Sequence, residues 1–242
     1  LNAWRSQKMD KSYEIIEQDG QEISYEACRD LWENENTLVH HDTSQKMVEA
    51  TASFICKACD LNENDNVLTI GCGDGLFDGE ISKRVKTLYG IDFSNQKLDV
   101  AKKRNPQVIY AQHNFLERFS NNFYSAGINK IYSYSVMQYC KPRDLTLFIE
   151  NQLDLCANKG QYLIAHLDVP DINKAIYYYS RHNPEITEKM LEGKIKTLFG
   201  DGSYWHDMVQ VKQICSDLGV ECEIRDAHYW AYRSDIIIRI KR

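Results

Sequence analysis

At 242 residues the chain is long enough for one large domain to bury roughly three quarters of its unfolded surface, so it needs no covalent or metal staples. Hydrophobic residues make up 43% and charged residues 26%, which excludes a disordered tail protein, and no apolar run approaches the ~18 residues of a membrane span. The 29 basic and 35 acidic residues leave a formal net charge of −6, which argues against a nucleic-acid backbone as partner because phosphate binding draws on a basic field.

Residues 1–43 are polar and dotted with Trp4, Tyr13, Tyr25 and Trp32, a pattern that predicts an N-terminal arm of short helices. The arm has no apolar signal core, so a cytoplasmic protein is expected; its opening on Leu1 implies trimming or processing upstream. Asp42-Thr43-Ser44 can cap a helix that runs to about Cys59. That helix holds Cys56-Lys-Ala-Cys59, which has ligand-like spacing but no second pair or histidine partner. Its apolar spacing predicts core-facing thiols, and no metal is expected.

Strands and helices then alternate. NVLTIGCG (66–73) reads as a strand ending in glycines, 75–85 as a helix, 86–92 as a strand and 94–104 as a capped helix. Strands follow at 107–112, 129–135 and 160–169, with a helix at 143–157 between the last two. An aromatic, charged stretch at about 170–205 reads as an insertion, and 206–219 as a helix stopped by Gly219. Two closing strands, 220–230 and 234–242, form a terminal hairpin. Strands separated by helices imply βαβ units: an α/β, doubly wound, mostly parallel sheet with helices on both faces and an antiparallel terminal hairpin.

The chemistry sits in Val67-Leu68-Thr69-Ile70-Gly71-Cys72-Gly73-Asp74-Gly75-Leu76. A strand running into a glycine turn and then a helix brings backbone close to a ligand and points free N–H groups at it. Two tenants suit such a turn, a dinucleotide and S-adenosylmethionine. The dinucleotide fingerprint wants glycine at its sixth position, where this chain has Leu76. Asp92 closes the next strand, in Gly90-Ile91-Asp92-Phe93-Ser94, where a carboxylate can accept from both ribose hydroxyls of an adenosine or cap the following helix.

V-L-x-I-G-C-G-D-G followed by G-I-D-x-S resembles motifs I and II of the class I S-adenosylmethionine-dependent methyltransferases, over about residues 44–166 and, more loosely, the terminal hairpin. The resemblance implies a seven-stranded sheet within a methyltransferase domain at 44–242, with a lid-like insertion at about 170–205. It implies S-adenosyl-L-methionine as cofactor and S-adenosyl-L-homocysteine as product. Gly71, Cys72 and Gly73 would line the methionine part, Asp92 would hold the ribose, and Phe93 would pack on adenine. Asn114 and Phe115 would meet the adenine amino group and ring, and Ser133 to Ser135 would face the sulfonium. Thr69, Asn114 and Asn129 stand where that family commonly has acids, which leaves the methionine ammonium without an obvious carboxylate.

Methyl transfer to an alcohol gains from a general base at the carboxyl rim of the sheet. His166, ending the fifth strand, and His206, opening the helix after Trp205, are the catalytic candidates; each is equally readable as an ordinary element-end histidine. Tyr134, Gln138 and Tyr139 follow the fourth strand and can line an acceptor pocket. In the insertion, Tyr178 and Arg181, with Trp205 beyond it, can stack on a sugar or ring and hold a phosphate, or form a half-buried helix. The expected function is O-methylation of a small polar molecule, a sugar or a phosphorylated or nucleotide-linked metabolite, as in enzymes of bacterial surface polysaccharide biosynthesis. N-methylation, a protein or RNA acceptor, and a catalytically inactive partner subunit are the alternatives. A nicotinamide dehydrogenase is disfavoured by Leu76. A monomer or homodimer with no membrane partner is expected.

Overall fold

Short runs of β-branched and aromatic residues alternate with amphipathic helices, and the computed structural model turns each of them into one layer of a three-layer sandwich. It describes residues 45–241 apart from 157–159, 182, 200, 201 and 229. The arm expected over 1–43 lies outside these residues. The strands are β1 (Asn66–Ile70), β2 (Thr87–Asp92), β3 (Ile109–Gln112), β4 (Lys130–Tyr134), β5 (Gln161–Pro170), β6 (Cys222–Asp226) and β7 (Arg233–Lys241). The helices are α1 (Gln45–Ala58), α2 (Asp78–Ser82), α3 (Asn95–Arg104), α4 (Asn121–Ser125), α5 (Leu145–Leu155), α6 (Ile172–Ser180), α7 (Glu188–Phe199) and α8 (Met208–Asp217).

The strands form one sheet of order β3-β2-β1-β4-β5-β7-β6. The β1–β2, β1–β4, β2–β3 and β4–β5 pairs are parallel, and β7 runs antiparallel between β5 and β6. Side chains alternate across the sheet with period two, so the two faces read directly from each strand. Val67, Tyr132, Leu163 and Ile237 pack with Ala52 and Ile55 of α1 and Ile81 of α2. On the other face Leu68, Ile70, Ile131, Ile236 and Ile238 pack with Phe148 and Ile149 of α5 and Val211 and Ile214 of α8. The doubly wound expectation holds in every layer. No described helix is long and apolar enough to cross a membrane.

Where the elements differ from the sequence reading, backbone geometry is the reason. The helix expected at 75–85 shrinks to Asp78–Ser82, because Gly71, Gly73 and Gly75 all take positive φ (67°, 56° and 71°) and the chain stays in turns until Phe77. The helix expected at 206–219 spans Met208–Asp217, because Asp207 takes the cap position and accepts from the Val209 N–H. Gly219 ends it with φ 72°, as anticipated. The short α4 was not foreseen, and the insertion is two helices, α6 and α7. Both pack with Trp205 and Tyr232 in a small core of their own, around Ala175, Leu191 and Ile195. Cys56 and Cys59 face the core as expected.

Candidate active site

In an open sheet, ligands gather outside the carboxyl ends of the strands where the winding reverses. Here the chain leaves β1 toward β2 and β3 and returns to β4 on the other side, so that point lies between β1 and β4. The loops after these two strands meet there. A Cβ on Gly71 would lie 2.6 Å from a Val136 methyl, so this close approach of the two loops admits only glycine. A Cβ on Gly73 would meet nothing within 4 Å, which leaves open space above the turn.

Asp92 fastens the turn to the end of β2. Its Oδ2 accepts the Gly73 N–H at 2.9 Å and its Oδ1 accepts the Ser94 N–H at 2.9 Å. A carboxylate offers about four acceptor positions, so capacity for hydroxyl donors remains. Burial raises its pKa, and the bonds from Ser94 and Gly73 oppose that shift. Capping of α3 falls to Ser94, whose Oγ accepts from the Lys97 N–H. The cap of α3 is therefore Ser94 rather than Asp92. Phe93 is half-buried, and its carbonyl accepts from Gln112. Asn114 Oδ1 accepts the Leu116 N–H at 3.0 Å, and Phe115 meets Phe148 edge-on with centroids 5.2 Å apart.

Beneath the glycine turn lies a carboxylate that the sequence reading passed over. Asp78, 3% exposed, accepts from the Tyr110 hydroxyl at 2.8 Å and the Tyr132 hydroxyl at 3.5 Å. Burial pushes its pKa up to about 7, against the lowering effect of the two tyrosines. Its charge also helps to push the half-buried Cys72 thiol upward, after desolvation itself. Asp74 in the turn pairs with Arg104 at 2.9 Å. Of the three positions that lack the family's usual acid, Asn129 turns out to be a staple at the opposite edge. Its Oδ1 accepts the Asn66 N–H at 2.9 Å, and its Nδ2 donates to Asp65 at 2.6 Å.

The ends of β4 and β5 hold the remaining polar groups. Ser133 and His166 pair in register, both fully buried, with Oγ and Nδ1 2.9 Å apart. His166 packs on Phe148, and burial, helped by the nearby His206, lowers its pKa to about 3. His206 Nε2 donates to the Met137 carbonyl at 2.7 Å, and burial lowers its pKa to about 4. Both rings are therefore neutral near pH 7, and the depression at His206 comes from burial rather than from a helix terminus. One step along, Asp168 is ion-paired with Arg233, which is itself 1% exposed, and accepts from the Ser135 hydroxyl. The Asp168 N–H donates to Asp235 at 2.8 Å. Asp168, Arg233 and Asp235 are not among the site residues expected from the sequence, because their partners come from β4, β5 and β7.

The acceptor candidates divide. Tyr134 is half-buried against Phe77, centroids 5.6 Å apart, beside the glycine turn, and Tyr139 is half-buried in the loop after β4. Gln138 in that loop donates to the Ser135 carbonyl at 2.6 Å. Tyr178 and Trp205 lie in the small core of the insertion: Trp205 donates to the Leu191 carbonyl at 2.6 Å, and Tyr178 packs on Tyr232. Arg181 is exposed and lies over the Tyr177 ring at 4.4 Å. A cavity of about 390 Å³ opens at the opposite, amino-terminal ends of β4 and β5, near Asn129 and Tyr162, and holds none of the predicted site residues. Among the described residues no cluster of three or more His, Cys, Asp or Glu side chains suits a metal.

Comparison with known proteins agrees with this geometry. Residues 67–160 match the family model described as a methyltransferase domain. The chain is similar to the 23S rRNA (uracil(1939)-C(5))-methyltransferase RlmD of Aliivibrio fischeri, 35% identical over 92 residues, which are 38% of this chain and 18% of the relative. The Haemophilus parainfluenzae protein of that name is 36% identical over 90 residues, 37% of this chain and 18% of the relative. The chain thus spans less than a fifth of these relatives. Among solved structures it resembles geranyl diphosphate C-methyltransferase from Streptomyces coelicolor, solved with Mg2+, geranyl diphosphate and S-adenosyl-L-homocysteine. The TM-score is 0.60 at 13% identity, over 92% of this chain and 99% of that one. Magnesium protoporphyrin IX methyltransferase from Synechocystis, solved with S-adenosyl-L-homocysteine, gives a TM-score of 0.55 at 15% identity, over 93% and 90% of the two chains. Residues 67–160 thus match a methyltransferase domain, and the chain shares the Rossmann-like fold of the solved methyltransferases it resembles.

Proposed function

We propose that the protein is an S-adenosylmethionine-dependent methyltransferase that O-methylates a small polar molecule, a sugar or a phosphorylated or nucleotide-linked metabolite. The observation that carries this reading is the 2.9 Å bond from the Gly73 N–H to Asp92, which fixes an acid with spare acceptor capacity beside an open glycine cradle. The residues fit the group: Gly71, Cys72 and Gly73 form the cradle for the methionine part, and Asp92 accepts from the ribose. Phe93, Asn114 and Phe115 flank the adenine end, and Ser133 stands at the sulfonium end. When bound, the cofactor supplies an activated methyl and its own leaving group, so the protein's task is alignment and exclusion of water. Alignment contributes as much as ~7–11 kcal/mol of barrier. His166 and His206, buried behind β4, hold Ser133 and the Met137 backbone in place. Tyr134 and Tyr139 line the acceptor side, α6 with Tyr178 and Trp205 forms the lid, and Arg181 takes an acceptor phosphate at its outer end.

The similarity to rRNA methyltransferases covers 38% of this chain, and the net charge of −6 favours a small acceptor over RNA. Calorimetric titration with S-adenosylmethionine tests the reading and separates it from an inert partner subunit. Asp92→Asn is expected to weaken binding about 10- to 100-fold, the loss of charge-assisted hydrogen bonds of roughly 1.5–3 kcal/mol. Wild-type protein that binds neither the cofactor nor its demethylated product sinks the proposal.

A further inference from the structure

The glycine turn is braced from below. Tyr110 of β3 crosses β2 over Gly90, where a Cβ would lie 2.6 Å from the tyrosine ring, so only glycine lets the ring through. Beyond Gly90 the Tyr110 hydroxyl donates to Asp78 at 2.8 Å and accepts from Asn105 Nδ2 at 3.2 Å. The same Asn105 amide donates to the Gly75 carbonyl at 2.7 Å, and the Asp78 N–H donates to that carbonyl at 3.2 Å. One buried carboxylate is thus joined to the turn both through its own main chain and through two side chains.

An apolar side chain would fill this space at lower cost, because burying a carboxyl group is unfavourable even when it is bonded. What an aspartate adds is charge, and that charge acts across the turn without touching a ligand. Cys72 lines the cradle, and among the charges that raise its thiol Asp78 comes ahead of Asp92 and Asp74. Asp74 has Arg104 at 2.9 Å to offset it. The groups that face Asp78 are Tyr110 from β3, Tyr132 from β4, Cys72 and Asp74 in the turn, and Arg104 from α3. From α1 come the apolar Ala52 and Ile55 and the thiols of Cys56 and Cys59, both raised by burial.

We propose that Asp78 is a positioning residue for the cofactor turn, holding the cradle through Tyr110 and Asn105 and using its negative charge to favour the sulfonium cofactor over its neutral thioether product. The proposal rests on the methyltransferase reading above and concerns which form of the cofactor the site retains. S-adenosylmethionine carries a positive sulfur and S-adenosylhomocysteine does not. A cation beside the turn favours the ionised carboxyl, and the ionised carboxyl favours the cation by the same factor. Burial holds Asp78 near 7, so its charge is present above that pH and lost below it. Binding of the sulfonium form then releases a proton, and affinity for it rises with pH through 7, while affinity for the product gains nothing from Asp78.

The test is calorimetric titration of the full chain with S-adenosylmethionine and with S-adenosylhomocysteine at about pH 6 and pH 8. Ionisations of the ligands themselves are common to wild type and variant, so the comparison between proteins reads Asp78. The preference of wild type for the sulfonium form is expected to rise about 5-fold more over this range than that of Asp78→Asn. At the higher pH the variant is expected to bind S-adenosylmethionine about 5- to 10-fold more weakly than wild type and S-adenosylhomocysteine about equally. Equal pH dependence in the two proteins, or a variant that loses both ligands alike, overturns the proposal while leaving the methyltransferase reading in place. A wild type that binds neither ligand overturns that reading and this proposal with it. Should Asp78→Asn fail to fold, Tyr110→Phe keeps the carboxyl and removes a donor that favours its ionised form. The rise in sulfonium preference is then expected at a pH higher by about 1, and an unmoved profile overturns the proposal.

Discussion

Asp78 shows how one buried side chain ties the cofactor turn to pH. Its two tyrosine partners come from β3 and β4, and its proton is held to about 7 against an ordinary 3.8. An acid whose folded-state pKa is raised binds protons better folded than unfolded, so its contribution to stability is lost as pH rises from about 4 to about 7. His166 and His206, depressed to about 3 and about 4, work in the opposite sense and cost stability as pH falls below the ordinary histidine value. The two trends overlap in the wild type. Asp78→Asn removes only the first, so the stability of the variant relative to wild type is expected to rise between pH 4 and 7, by on the order of 3 kcal/mol. Urea unfolding of both proteins across that range measures it, and a pH-independent difference means that Asp78 is ionised throughout.

Elements are joined to the site through their ends. Asp171 caps α6 by accepting the Asn173 and Lys174 N–H groups, at 3.0 and 3.2 Å, and also accepts the Ser234 hydroxyl of β7 at 2.7 Å. One side chain thus fastens the insertion to the sheet edge that carries Asp168 and Arg233. Asp171→Ala is expected to destabilise the protein by about 1–2 kcal/mol, as the loss of a cap does, with amide exchange quickened in α6 and α7 and cofactor affinity unchanged. Protection in α6 equal to wild type contradicts this. The period-two and helical patterns located nearly every strand and the helices α1, α3, α5 and α8. They overran α2, because three alternate glycines at positive φ are a backbone property that apolar spacing does not report. They missed α4, whose five residues contribute nothing fully buried to a pattern.

At the scale of the molecule, the two faces of the sheet meet at the carboxyl edge between β1 and β4, and a ligand seated there touches loops from both halves. Such a ligand adds its binding energy to the folding equilibrium. S-adenosylmethionine at a hundred times its dissociation constant is expected to stabilise wild type by about 2.7 kcal/mol, and Asp92→Asn far less at the same concentration. Thermal or urea unfolding with and without the cofactor reads this directly, and equal stabilisation of the two proteins would detach Asp92 from the site. The sequence by itself determined the order of strands and helices, the glycine turn and the acid at Asp92, because each is written in local periodicity or in a motif of adjoining residues. Only the tertiary structure decided that Asp78 sits under the turn, that Ser133 closes on His166, and that Ser135, Asp168, Arg233 and Asp235 form one cluster. Those partners are 32 to 98 residues apart in the chain, and pairing over such distances is set by strand order and register, which no local pattern records.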